Sequence, residues 1–169
     1  MPMTHYMALL AANQPWNLIL FMAIPVILAE TVAITELFIL FSRNFHGPLR
    51  AINRTASIAG GLYFSGVFVY LMTTAVIPLT QTRGWEGPAD VIAVGAYLAG
   101  IVPLLGLALL DMGLLARGRD AEGKLKLHAI LVAVFLVVAH VAMIFGMLDP
   151  TLLMTPEAMP AMDHGMMHH

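Results

Sequence analysis

Four runs of apolar residues decide what this chain can become. They cover Trp16 to Phe41, Thr55 to Leu79, Ala89 to Leu115 and Leu125 to Leu148. Each meets the requirement of about 20 mostly apolar residues for a helix that crosses a bilayer. Their interiors hold few ionisable side chains: Glu30 and Glu36 in the first, Asp111 in the third, His128 and His140 in the fourth. The connections are short, so consecutive helices are expected as antiparallel neighbours. The expected fold is an all-α integral membrane protein, a four-transmembrane-helix up-down bundle. Residues 1–15 form a Met/His-containing N-terminal segment, 16–148 the bundle, and 149–169 a Met/His-rich C-terminal tail.

Composition agrees. Of the 169 residues, 60% are hydrophobic and 11% charged, against about 25% charged in a soluble domain. The mean hydropathy is +0.86. One soluble core of this length cannot hide that much apolar surface. Eight Lys and Arg against ten Asp and Glu leave no basic excess for a nucleic acid. Cysteine is absent, which removes disulfides and thiolate metal sites.

The cations give a direction. Arg43, Arg50 and Arg54 fall in the first connection, and Arg117, Arg119, Lys124 and Lys126 in the third. Only Arg83, beside Glu86 and Asp90, falls in the second. The positive-inside rule then assigns connections one and three to the cytoplasm and both termini to the periplasm or cell exterior of a cell inner membrane. Trp16 and Trp85 suit an aromatic belt at the outer boundary. No Lys or Arg precedes Arg43, so the first helix is expected to stay as an anchor rather than be cleaved as a signal. Ser57, Gly61 and Ser65, and Ala96 with Gly100, recur at four-residue spacing and read as helix packing. Pro25 and Pro103 should kink their helices and free a carbonyl one turn earlier.

Ionisable groups inside a bilayer are costly and lean functional. From a rise of about 1.5 Å per residue, Glu30 lies roughly 18 Å and His140 roughly 21 Å from the cytoplasmic surface, which makes one mid-membrane layer. Glu36, Asp111 and His128 make a second layer within roughly 10 Å of that surface. On the structural account of that layer, Glu36 or Asp111 pairs with Arg54 or Lys126 at the interface. His140, Met143 and Met147 share one face of the fourth helix.

The termini are rich in Met and His. The tail carries Met162, His164, Met166, Met167, His168 and His169, and the N-terminus Met1, Met3, His5 and Met7. Thioether sulfur favours Cu(I), and imidazole suits copper, zinc and nickel. The leading expectation is a small membrane protein that binds or moves copper. Its ligands would be the tail residues together with Glu30, His140, Met143 and Met147. One alternative is a subunit of an electron-transfer complex. It would hold haem b between His140 and Met72, Met112 or another chain's ligand, or a quinone at Glu30, Tyr63 or Tyr70. The other is an accessory subunit with no ligand, docked on a larger membrane complex or on a second copy. The lipid bilayer is the partner common to all three.

Overall fold

The computed structural model describes residues 3–44 and 46–153, all helical apart from turns and connections. Among the described residues four helices are long and apolar enough to cross a membrane: α2 (Trp16–Ser42), α3 (Pro48–Thr82), α4 (Pro88–Asp111) and α5 (Ala121–Met147). A short helix, α1 (His5–Ala11), precedes them, and a 3-10 turn, Pro150–Leu153, follows. Large apolar side chains such as Ile27, Phe41, Val102 and Val137 stay exposed on the outer faces. Such an exterior suits lipid rather than water.

The helix ends depart from the hydropathy pattern for local reasons. α3 starts at Pro48, seven residues before the apolar run, because proline suits the first helical turn and Gly47 supplies the extended residue ahead of it. α4 stops at Asp111, four residues short of the expected end. Gly113 turns the chain there with φ at +75°, a conformation glycine adopts without strain. α5 begins at Ala121, where the Asp120 side chain accepts a hydrogen bond from the Gly123 N–H.

Pro25 acts as expected, and with a specific outcome. It lies just past a π-helical turn at Ile19–Ala23, in which the Ile24 N–H reaches back five residues to the Ile19 carbonyl. Proline has no N–H to offer Leu20, five residues back, or Phe21, four back. Each of these carbonyls accepts a tyrosine hydroxyl instead. Tyr63 donates to Leu20 at 2.9 Å and Tyr97 to Phe21 at 2.5 Å. A second π turn, Met72–Val76, stands in the same relation to Pro78.

The small-residue stripe sets how closely α3 and α4 cross. A Cβ on Gly61 would lie 2.5 Å from the Ala108 Cβ and 2.6 Å from the Leu104 carbonyl oxygen, so the two backbones are in contact. Two buried apolar clusters fill the bundle, and the crossing lies within the first of them. One is built on Val32, Phe64, Leu107, Val132 and Phe135. The other is built on Tyr6, Leu10, Phe21, Leu71 and Leu98, and it joins α1 to the ends of the long helices.

Candidate functional site

Two regions bring together Glu and His side chains from different long helices. The first is a closed polar cluster made by all four long helices. Glu36 comes from α2, Arg50 and Asn53 from α3, Asp111 from α4 and His128 from α5. The Arg50 guanidinium donates to Asp111 Oδ1 at 2.6 Å and to Asn53 Oδ1 at 2.8 Å. The Asn53 amide donates to the Val32 carbonyl at 3.0 Å and to Thr35 Oγ1 at 2.9 Å, and so ties α3 to α2. His128 Nε2 lies 3.1 Å from Asp111 Oδ2, and its Nδ1 lies 2.5 Å from Glu36 Oε2. Glu36, Asn53, Asp111 and His128 are buried, whereas Arg50 keeps a third of its side chain exposed.

The sequence placed Glu36, Asp111 and His128 in one layer, and they meet in it. The expected cations are corrected. Asp111 pairs with Arg50, one helical turn before Arg54, because the longer α3 carries Arg50 to the end of α4. Lys126 pairs at the surface with Glu122, 3.2 Å away. Glu36 takes His128 as its partner. Periodicity alone did not single out Arg50 and Asn53, since both precede the apolar run. Their signal was a basic residue and an amide three apart at the start of a helix, on one face.

The second region is an open cavity of about 240 Å³ lined mainly by α2, α4 and α5, with Tyr6 of α1 and Phe64 of α3 in its wall. Glu30, His140 and Met143 line it, among Phe21, Pro25, Phe64, Tyr97 and Phe135. Glu30 and His140 are both exposed, and no hydrogen bond joins them among the described residues. The His140 ring places Nδ1 2.6 Å from the Leu136 carbonyl. That nitrogen donates to the carbonyl, so the tautomer of a neutral ring that fits this contact has its lone pair on Nε2. Met147 is 72% exposed and lies outside the cavity lining. Among the described residues no three His, Asp or Glu side chains gather as a metal centre. His164, Met162, Met166, Met167, His168 and His169 lie outside the described residues.

Other candidates have partners of their own. Tyr63 donates to Leu20, and Tyr70 stacks on Phe21 with centroids 5.7 Å apart. Met112 follows Asp111, which bonds His128, twelve residues or about 18 Å along α5 from His140. Residues 1–15 contain a docked helix that the sequence reading missed. Thr4 caps α1, and its hydroxyl donates to the Gly146 carbonyl at 2.7 Å. His5 binds buried Asp90 twice, through its backbone N–H at 2.7 Å and through Nδ1 at 2.6 Å. Thr4 at the N-cap position was the available signal. Burial pushes the Tyr6 hydroxyl above the ordinary tyrosine value. After α5, hydrogen bonds from the Thr151 hydroxyl and backbone hold Asp149 below the usual carboxylate value.

The fold defines a class: a membrane protein whose described residues are all-helical, with four helices of spanning length among them. Residues 1–162 match the model of the family described as "Family of unknown function (DUF6803)". The chain belongs to that family. No curated protein sequence and no solved structure shows significant similarity to it.

Proposed function

We propose that this chain is a multi-pass protein of the cell inner membrane that binds copper, collects it on an outer Met/His tail and passes it to the cavity of Glu30, His140 and Met143. In this reading the helices run up and down. The seven cations of the first and third connections lie in the cytoplasm, and both termini lie outside. The observation that supports it is the convergence of Glu30, His140 and Met143 on one cavity, with the imidazole Nδ1 committed to a backbone carbonyl. A metal-binding histidine is commonly oriented in that way by its other nitrogen. Thioether and imidazole suit Cu(I), and Glu30 supplies a carboxylate that changes charge as a cation arrives or leaves.

Copper quantitation and a visible spectrum on the detergent-purified protein test this reading. Bound copper without a Soret band, reduced in a His140→Ala, Met143→Leu double variant, is the expected result. Copper-free wild-type protein after copper loading overturns it, and a Soret band replaces it with the haem b reading. A peptide of residues 154–169 should compete with a Cu(I) indicator and lose that ability when every Met becomes Leu. Reporter fusions at Arg119 and Met162 test the orientation; an outer signal at Arg119 reverses it and removes the tail from the copper route.

A further inference from the structure

The closed cluster poses a problem of proton counting. The His128 ring sits between two carboxyl groups, with Nε2 3.1 Å from Asp111 Oδ2 and Nδ1 2.5 Å from Glu36 Oε2. A neutral imidazole has one N–H and one lone pair. Between two ionised carboxylates, a neutral ring would press that lone pair against an anionic oxygen at contact distance. Both contacts become attractive when the ring carries two N–H groups, or when one carboxyl is protonated. Either way the cluster holds one proton more than a neutral imidazole and two carboxylates.

Charge balance gives the same count. The four helices contribute Glu36, Arg50, Asp111 and His128, and among the described residues no other charged side chain pairs with them. With the extra proton the positive and negative charges cancel. Without it, a net negative charge stays among side chains that are almost fully buried, which an apolar membrane interior penalises. Glu36 Oε1 and His128 Nδ1 are buried and have no hydrogen-bond partner besides the His128–Glu36 contact itself, so the cluster keeps unsatisfied capacity there.

Access is one-sided. Arg50, with 33% of its side chain exposed, opens the cluster to the end of the bundle where α3 starts. Towards the cavity, buried Val32, Phe64, Leu107, Val132 and Phe135 form an apolar layer. We propose that Glu36, His128, Asp111 and Arg50 form a binding site for one proton, shared between His128 and Glu36 and exchanged with solution only at the Arg50 end. On release the proton leaves the Nδ1–Oε2 contact for water at that end, and the cluster changes from neutral to a single negative charge. Rebinding reverses the step. This site stands apart from the copper reading and holds whether or not the cavity binds a metal.

The test is nitrogen-15 NMR of the histidine rings in the full-length protein in nanodiscs, together with infrared detection of protonated carboxyl groups. His128→Asn assigns the ring signal. At neutral pH the expected result is a ring with two protonated nitrogens, or a neutral ring with a protonated-carboxyl band that disappears in Glu36→Gln. Raising the pH should remove that signature with loss of one proton per chain. In Glu36→Gln the ring should be neutral, with Nε2–H donating to Asp111, because the amide removes the second anion. A neutral ring with no protonated carboxyl in the wild type overturns the proposal. So does a signature that persists at every pH the folded protein survives, or an imidazolium retained in Glu36→Gln. If Glu36→Gln does not fold, the wild-type measurements decide alone.

Discussion

Helix α2 supplies the glutamate and α5 the histidine of two Glu–His pairs, and the two pairs meet opposite fates. Glu36 and His128 touch and are almost fully buried, whereas Glu30 and His140 face an open cavity and have no charged partner among the described residues. Chemistry and helix are the same in both pairs, so the difference lies in what α3 and α4 place beside them. At the closed end they insert Arg50, Asn53 and Asp111, which supply a counter-charge and amide hydrogen bonds. At the open end they present Phe64, Tyr97 and Gly100, which offer shape and no charge. A buried ion pair needs neighbours that satisfy its remaining atoms. The closed pair has such neighbours at Glu36 Oε2 and His128 Nε2, and the open pair has none among the described residues.

The comparison predicts unequal sensitivity. His128→Leu leaves two buried carboxyl groups without their shared partner and should destabilise the protein by about 3–5 kcal/mol. His140→Leu removes an exposed ring and should leave the unfolding midpoint nearly unchanged. Thermal unfolding in detergent measures both. Equal midpoints for the two variants would end the distinction between a structural pair and an available one.

The crossing between the two regions should be the next most sensitive. Gly61→Ala places a methyl group against the Ala108 Cβ and the Leu104 carbonyl, and forcing α3 from α4 should cost about 1–3 kcal/mol. Gly66, on the same helix, has open space where its Cβ would stand. Gly66→Ala should be neutral or stabilise by up to about 1 kcal/mol. A neutral Gly61→Ala would mean that the close crossing does not fix the distance between the helices.

Much of this was legible in the sequence, and the remainder was hidden for definable reasons. Four spans follow from apolar run length, and the Glu36, Asp111 and His128 layer follows from counting residues along helices. The choice of Arg50 over Arg54 depends on where α3 begins, which hydropathy misplaced because the first two turns of α3 carry Arg50, Asn53 and Arg54. Burial of His128 against exposure of His140 depends on the rotation of α5. That helix is apolar almost all round, so periodicity carried no rotational signal. The docking of α1 rests on Thr4 with Gly146 and His5 with Asp90, pairs distant in the chain that no local pattern joins.

A smaller effect sharpens the open region itself. If copper occupies the cavity, Glu30→Gln and His140→Ala should each weaken it about tenfold, equivalent to about 1.4 kcal/mol, with the unfolding midpoint of the copper-free protein unchanged. Competition with a Cu(I) indicator on protein lacking residues 154–169 separates the cavity from the tail. Unchanged affinity in both variants would leave the cavity without a metal role.

The smallest effect concerns the proline in the cavity wall. Pro25 leaves the Leu20 and Phe21 carbonyls without their helical donors, and the Tyr63 and Tyr97 hydroxyls take their place. Tyr97→Phe removes the donor to Phe21 and should cost about 1 kcal/mol, the usual net value of one hydrogen bond. In an apolar surround the orphaned carbonyl finds no water to replace it. Pro25→Ala restores a backbone N–H within reach of the same carbonyls, so Tyr97→Phe should cost much less in that background. The pair should therefore couple in a double-mutant cycle. If Tyr97→Phe costs the same in the wild-type and the Pro25→Ala backgrounds, the tyrosine is packing against the cavity wall, and the proline does not create the acceptor that it satisfies.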